Sequence, residues 1–155
     1  AAACGLPQNA AGQLLVDTEL RVPGHERIFG CGDGVGFGAD RTALRMACAT
    51  AMPMGAHVAD NLGALLRRRP LRPFGFAFFA QCVSLGRRRG ILQRVAANDA
   101  PQSFIVTDRM GARLKEAICR YTVLSLGIER TLAGTYTWPG RRRSLSVEPT
   151  LNLVS

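Results

Sequence analysis

Asp33 is the residue of this 155-residue chain whose setting most suggests chemistry. It follows the apolar run Ile28-Phe29-Gly30-Cys31 and stands between Gly32 and Gly34. A carboxylate held at the end of a strand is a fixed, charged acceptor for hydroxyl donors, and charge-assisted hydrogen bonds are the stronger class. Taken alone, Gly-Asp-Gly reads as a turn, because both residue types dominate turns. The other reactive residues exclude more than they offer. His25 lies in a loop, and His57 lies on a helix with no partner expected at i±4. Ser84, Ser103 and Ser125 lack a G-x-S-x-G setting, so a hydrolase has no support. The five cysteines (Cys4, Cys31, Cys48, Cys82 and Cys119) are odd in number and widely spaced, with no C-x-x-C. Neither a metal site nor a thioredoxin-like pair follows, and they read as reduced thiols of a cytosolic protein, mostly buried as small apolar groups.

The elements that must position Asp33 come next. Leu14-Leu15-Val16 and Leu20-Arg21-Val22 read as short strands, and Pro23-Gly24 as a turn. Residues 27–31 read as a buried strand with a sharp exit at Gly32. The spacing of Leu44, Ala47, Cys48, Ala51, Met52, Val58, Ala59, Leu62, Leu65 and Leu66 predicts a helix over 42–66 with one apolar face. Asp40 or Thr42 could cap it, and Pro53 must kink or divide it. Residues 74–97 read as a β-hairpin turning at Gly86-Arg87-Arg88-Arg89-Gly90, and 104–106 as a third strand. A helix over 108–133 carries the stripe Leu114, Ala117, Ile118, Tyr121, Leu124, Ile128 and Leu132. An irregular tail follows around Trp138. The pattern is α+β, with 1–70 as one domain and 71–155 (hairpin, helix and tail) as a second.

The net charge of +9 is nearly all arginine, with one lysine, Lys115, among 20 basic residues. Arg67–Arg69, Arg87–Arg89 and Arg141–Arg143 form triplets that read as solvated turns and helix ends. A basic surface attracts nucleic acid or anionic lipid. Aromatic residues are not interleaved with the triplets, which argues against nucleic acid. No apolar run reaches the length of a membrane-spanning helix.

The run Val16-Asp17-Thr18-Glu19-Leu20-Arg21-Val22-Pro23-Gly24-His25-Glu26-Arg27-Ile28-Phe29-Gly30-Cys31-Gly32-Asp33 resembles the second FAD-binding motif of the pyridine-nucleotide disulfide oxidoreductase superfamily, in its type II NADH dehydrogenase-like branch. The likeness runs from Gly12 to Leu66, and less specifically through Val83–Arg88. It implies the C-terminal remnant of an FAD/NAD(P)-binding α/β fold followed by the small hairpin-and-helix domain. It further implies that Gly32 and Asp33 grip the ribityl chain of FAD. Thr42 and Ala43 would stand at a helix start beside the flavin, where a partial charge of about half a unit favours the reduced anion. NAD(P)H would bind elsewhere, because no G-x-G-x-x-G occurs here, and Gly34-Val35-Gly36-Phe37-Gly38 has the wrong spacing. The chain, which opens on Ala1, is therefore expected to be an inactive fragment of a longer FAD-dependent enzyme. That enzyme would use an unassigned electron acceptor, could form a homodimer, and would contact the inner membrane face peripherally. The family's Ala-x-Gln-Gln-Gly run is Ala51-Met52-Pro53-Met54-Gly55 here, so both glutamines are replaced. The rival reading from composition alone is a basic interaction or dimerisation module without catalysis.

Overall fold

The structure, a computed structural model, describes residues 2–38 and 44–141. It is α+β: β1 (Leu14–Val16), β2 (Val35–Phe37), α1 (Cys48–Leu66), β3 (Ala80–Ser84), β4 (Gly90–Val95), β5 (Pro101–Val106) and α2 (Asp108–Thr131). Two compact units divide the chain, one of Ala1–Phe76 with Gly140–Ser155, the other of Ala77–Pro139.

In the first unit β1 and β2 pair in parallel, Leu14 opposite Val35 and Val16 opposite Phe37. The connection between them is folded on itself. The Asp17 carboxylate accepts the main-chain N–H groups of Glu19 and Arg21 at 2.9 and 2.8 Å. Pro23-Gly24 makes the expected turn, closed by His25 N–H to the Val22 carbonyl at 3.0 Å, with Gly24 at φ +79°. The two strands expected at 20–22 and 27–31 reduce to one bridge, Arg21 to Phe29, with Cys31 exposed. The regular strand begins after the Gly-Asp-Gly turn, at Val35, because β1 offers its edge there. Val16, Leu20, Val22, Phe37, Met54, Phe74 and Phe76 form the core.

Helix α1 begins at Cys48, later than the apolar spacing predicts. Ala47 is extended, and the Thr50 hydroxyl donates to the carbonyls of Arg45 and Ala47 at 2.6 and 2.8 Å. That side-chain bonding competes with helix for residues 44–47. Pro53 does not divide the helix, which runs on to Leu66. The buried face is also not the predicted one. Thr50, Pro53, Met54, His57 and Asn61 point inward, while Leu62 and Leu66 are exposed. The inward polar groups meet backbone that no strand satisfies. Asn61 donates to the carbonyls of Glu19 and Arg72 and accepts the Arg72 N–H, each at 3.0 Å. Such obligatory main-chain partners outweigh a gain in apolar burial.

In the second unit β3, β4 and β5 form an antiparallel sheet in sequence order. The hairpin turn falls at Leu85–Arg89, as expected, but its first strand starts at Ala80. Phe74 and Phe76, expected in that strand, instead stack 6.4 Å apart in the core of the first unit. Helix α2 meets the sheet at Gly111, which lies directly against Gly90. Its predicted apolar stripe is exposed, with Ile118 37% and Leu124 61% accessible. A helix of 24 residues is about 36 Å long, and a six-residue strand covers about 20 Å, so the helix outruns the sheet. Past its end the Glu129 carboxylate accepts N–H groups of Gly134 and Tyr136 at 2.6 and 2.7 Å, which fold the chain back.

Four of the cysteines are exposed and Cys82 is half-buried, so the expectation of buried thiols is corrected; all five are free. The arginine triplets are exposed where described, after α1, at the hairpin turn and at Arg141.

Candidate functional site

A groove of about 550 Å³ opens in the first unit along β1, β2 and the approach to α1. Gly32 and Asp33 lie on its wall. Gly32 takes φ +81°, which only glycine adopts without strain. A Cβ there would lie 3.9 Å from that of Ala51, so the turn sits against the first turns of α1. The turn closes weakly, Val35 N–H to the Gly32 carbonyl at 3.3 Å, and Leu14 N–H reaches the Gly34 carbonyl at 2.9 Å. Asp33 itself is exposed. It stands at the entry to β2 rather than at the end of a regular strand.

The wall is mixed. Leu15, Val35, Phe37, Leu44, Met46 and Met54 supply apolar surface, and the charged residues on it are Asp33 and Arg45. Met54 is 3% exposed and lines the groove. Thr42 and Ala43 fall outside the described residues. Leu44 and Arg45, the next in the chain, lie on the groove wall.

Sequence reasoning missed Asn9, Gln13 and Thr50, all of which line the groove. Asn9-Ala10-Ala11-Gly12 carries a legible signal, an Asx turn completed by glycine. The Asn9 side-chain oxygen accepts Ala11 N–H at 3.0 Å, and Gly12 takes φ +78°.

Away from the groove, His57 is buried and its Nε2 lies 2.8 Å from the Arg72 carbonyl. The expectation of no partner at i±4 fails, because Asn61 Nδ2 stands 3.2 Å from the same nitrogen. Both Asn61 amide protons are already directed at carbonyls, those of Glu19 and Arg72. Nε2 therefore carries the proton and donates to Arg72. Burial holds this imidazole below its ordinary pKa, against the raising effects of the Arg72 carbonyl, Asp60 and Glu19. His57 is a structural residue in this arrangement, and His25 is exposed in its loop.

Among the described residues no group of three or more His, Cys, Asp or Glu side chains could hold a metal, and no helix is long and apolar enough to cross a membrane. No family model matches the chain. It is 38% identical over 90 residues to the alternative NAD(P)H-ubiquinone oxidoreductase C1, chloroplastic/mitochondrial, of Arabidopsis thaliana. That alignment covers 53% of this chain and 16% of the relative. Over part of its length, then, the chain is related in sequence to an NAD(P)H oxidoreductase of the NADH dehydrogenase-like kind, and it spans a small fraction of that protein.

Proposed function

We propose that the chain is part of a flavoprotein oxidoreductase that passes a hydride from NAD(P)H to FAD and then electrons to a second acceptor. The observation that carries this reading is Asp33, with its adjoining Gly32, on the wall of a cofactor-sized groove. The 38% identity to an NAD(P)H-ubiquinone oxidoreductase supports it. The residues fit a flavin. A carboxylate suits a chain of hydroxyls, and Phe37, Met46 and Met54 suit a flat apolar ring.

FAD, when bound, supplies the redox chemistry, and the protein's share is positioning and electrostatics. Asp33 accepts ribityl hydroxyls, and the Gly32 backbone lets the turn approach. The apolar wall excludes water, and Arg45 brings positive charge to the same groove. Thr42 and Ala43 complete the site in this reading. With no G-x-G-x-x-G in the sequence, the adenine and pyrophosphate would be held by another part of the protein. These 155 residues alone would then bind FAD weakly and be inactive. The acceptor is a quinone in the relative's name; here Pro53 and Met54 replace the family glutamines, so the acceptor is to be found by assay.

The test is an absorbance spectrum of the full-length protein, before and after NADH is added anaerobically. A flavin band near ~450 nm that bleaches is the expected outcome. A colourless protein that takes up no FAD overturns the reading.

The exposed stripe of α2 favours a second role for residues 77–139, as a homodimer face or a peripheral membrane contact. Sedimentation of an Ile118→Glu, Leu124→Glu variant tests the dimer, and vesicle flotation of the same variant tests the membrane contact.

A further inference from the structure

The turn that carries Asp33 is tied down from outside by two side-chain amides. Gln13 Nε2 donates to the Asp33 main-chain carbonyl at 3.1 Å. Gln13 Oε1 accepts from Asn9 Nδ2 at 2.9 Å. Asn9 Oδ1 in turn accepts two main-chain N–H groups, of Ala11 at 3.0 Å and Gln13 at 2.9 Å. These last two bonds fix the orientation of both amides, because only an oxygen can face two N–H groups. Asn9 Nδ2 must then face Gln13, and Gln13 Nε2 must face Asp33. The direction of the relay follows from the backbone of residues 9–13.

Gly36 shows how closely the relay is built in. A Cβ at Gly36 would lie 2.5 Å from Asn9 Nδ2 and 3.0 Å from Gln13 Oε1. The glycine at this buried strand position leaves room for the two amides to meet. The other bond from outside the turn, Leu14 N–H to the Gly34 carbonyl at 2.9 Å, leaves the Asp33 carbonyl to Gln13. The turn's own closing bond is long, at 3.3 Å, and Gly32 lies in the left-handed region. A peptide without the Gln13 bond can rotate, and rotation changes the ψ of Asp33, on which the allowed rotamers of its side chain depend.

We propose that Gln13, oriented by Asn9, is a positioning residue that fixes the Asp33 peptide and aims its carboxylate into the groove. Gln13 acts through Asp33 and need not touch the ligand. The inference rests on the reading that Asp33 grips the hydroxylated chain of a flavin.

The test is a double-mutant cycle in the full-length protein stripped of flavin and titrated with FAD, read by quenching of flavin fluorescence. Gln13→Met keeps the length of the side chain and removes both polar ends. It is expected to weaken FAD binding about five- to tenfold in the wild-type background and to change nothing in an Asp33→Ala background. An equal loss in both backgrounds, or no loss in either, overturns the positioning role while leaving Asp33 as the ligand. An Asp33→Ala protein that binds FAD as tightly as wild type overturns the flavin reading of this site, and the inference with it. Gly36→Ala disturbs the same relay from beneath. It is expected to give the same pattern and replaces Gln13→Met if that variant does not fold, as judged by its thermal midpoint.

Discussion

Asn61 and His57, one turn apart on α1, converge on a single carbonyl, that of Arg72, at 3.0 and 2.8 Å. Asn61 also reaches the Glu19 carbonyl and accepts the Arg72 N–H, so one buried amide closes two loops on the helix. Asn61→Ala leaves these main-chain groups without their side-chain partner in a site that is 1% exposed. The expected loss is about 3 kcal/mol, since each stranded buried group costs about 1–3 kcal/mol. Asn61→Asp keeps the acceptor but replaces the NH2 that makes both donor bonds with an oxygen that repels the two carbonyls, and should not rescue. Urea unfolding of the two variants checks this, and a loss within experimental error for Asn61→Ala would refute the clamp.

His57 makes the same junction sensitive to pH. Burial depresses its pKa and Arg141 adds to the fall, while the Arg72 carbonyl, Asp60 and Glu19 pull upward. Between the depressed value and about 6.5, where a free imidazole titrates, the unfolded chain takes up a proton that the folded chain refuses. The contribution is therefore intact above that range. It falls as pH drops through the window and levels off below the folded pKa. Thermal midpoints measured in steps from about pH 8 to about pH 5 should decline in wild type, and decline less in His57→Gln. Equal slopes would show that another group carries the pH dependence.

The second unit was the more legible part of the sequence. Gly86-Arg87-Arg88-Arg89-Gly90 and Asn98-Asp99-Ala100-Pro101 are local turn signals, and the strands fall on either side of them. The Gly-Asp-Gly turn was legible for the same reason. What escaped was the direction in which side chains face. The spacing of Leu62, Leu65 and Leu66 pointed to an apolar face of α1, but the helix buries Thr50, His57 and Asn61. Periodicity weighs apolar area and is blind to loop carbonyls that demand a donor. The place of Asn9 and Gln13 on the groove escaped because the residues they meet there, Gly36 and Asp33, lie twenty or more positions along the chain, beyond any local pattern.

Gly111 sets two effects against each other. Alanine is the better helix former by about 1 kcal/mol. A Cβ at Gly111, however, would enter the Gly90 carbonyl and come 2.9 Å from the Val106 carbonyl oxygen, and backbone atoms cannot swing aside. Overpacking of this kind costs about 1–3 kcal/mol and should win, because the α2 backbone meets the sheet here. Gly127 lies in the same helix with nothing within 4 Å of an added Cβ. Gly127→Ala should therefore stabilise by about 1 kcal/mol while Gly111→Ala destabilises. Guanidinium unfolding of both variants gives opposite signs if this contact is correct. The same sign in both would place helix propensity above packing.

Glu129 gives a local counterpart. Its carboxyl is held below the usual carboxylate range, first by the Gly134 N–H and then by that of Tyr136. A depressed carboxylate contributes above its unfolded pKa and loses that contribution as pH falls through the folded value. The residue is exposed to solvent screening, so the effect should be confined to the turn after α2. Hydrogen exchange at Gly134 and Tyr136 should speed up in Glu129→Gln at neutral pH, and in wild type only under acid conditions. Unchanged exchange at both amides would mean that the turn is held by the Thr135 hydroxyl contact to the Leu132 carbonyl instead.

The carboxylate of Asp33 offers the most direct link from structure to chemistry. Charge and shape can be separated there, because Asp33→Asn keeps an oxygen acceptor and removes the charge, whereas Asp33→Ala removes both. Hydrogen bonds to charged groups are worth about 1.5–3 kcal/mol, so FAD affinity of the full-length protein should fall at least about tenfold in Asp33→Ala. Asp33→Asn should lie between that variant and wild type, since a neutral acceptor keeps part of the bond. The Asp33 side chain is exposed and is not part of the core, so thermal midpoints of the flavin-free proteins should coincide. An ordered series in affinity with a flat series in stability assigns the carboxylate to ligand binding. A series that is ordered in stability and flat in affinity would make Gly32-Asp33-Gly34 a structural turn.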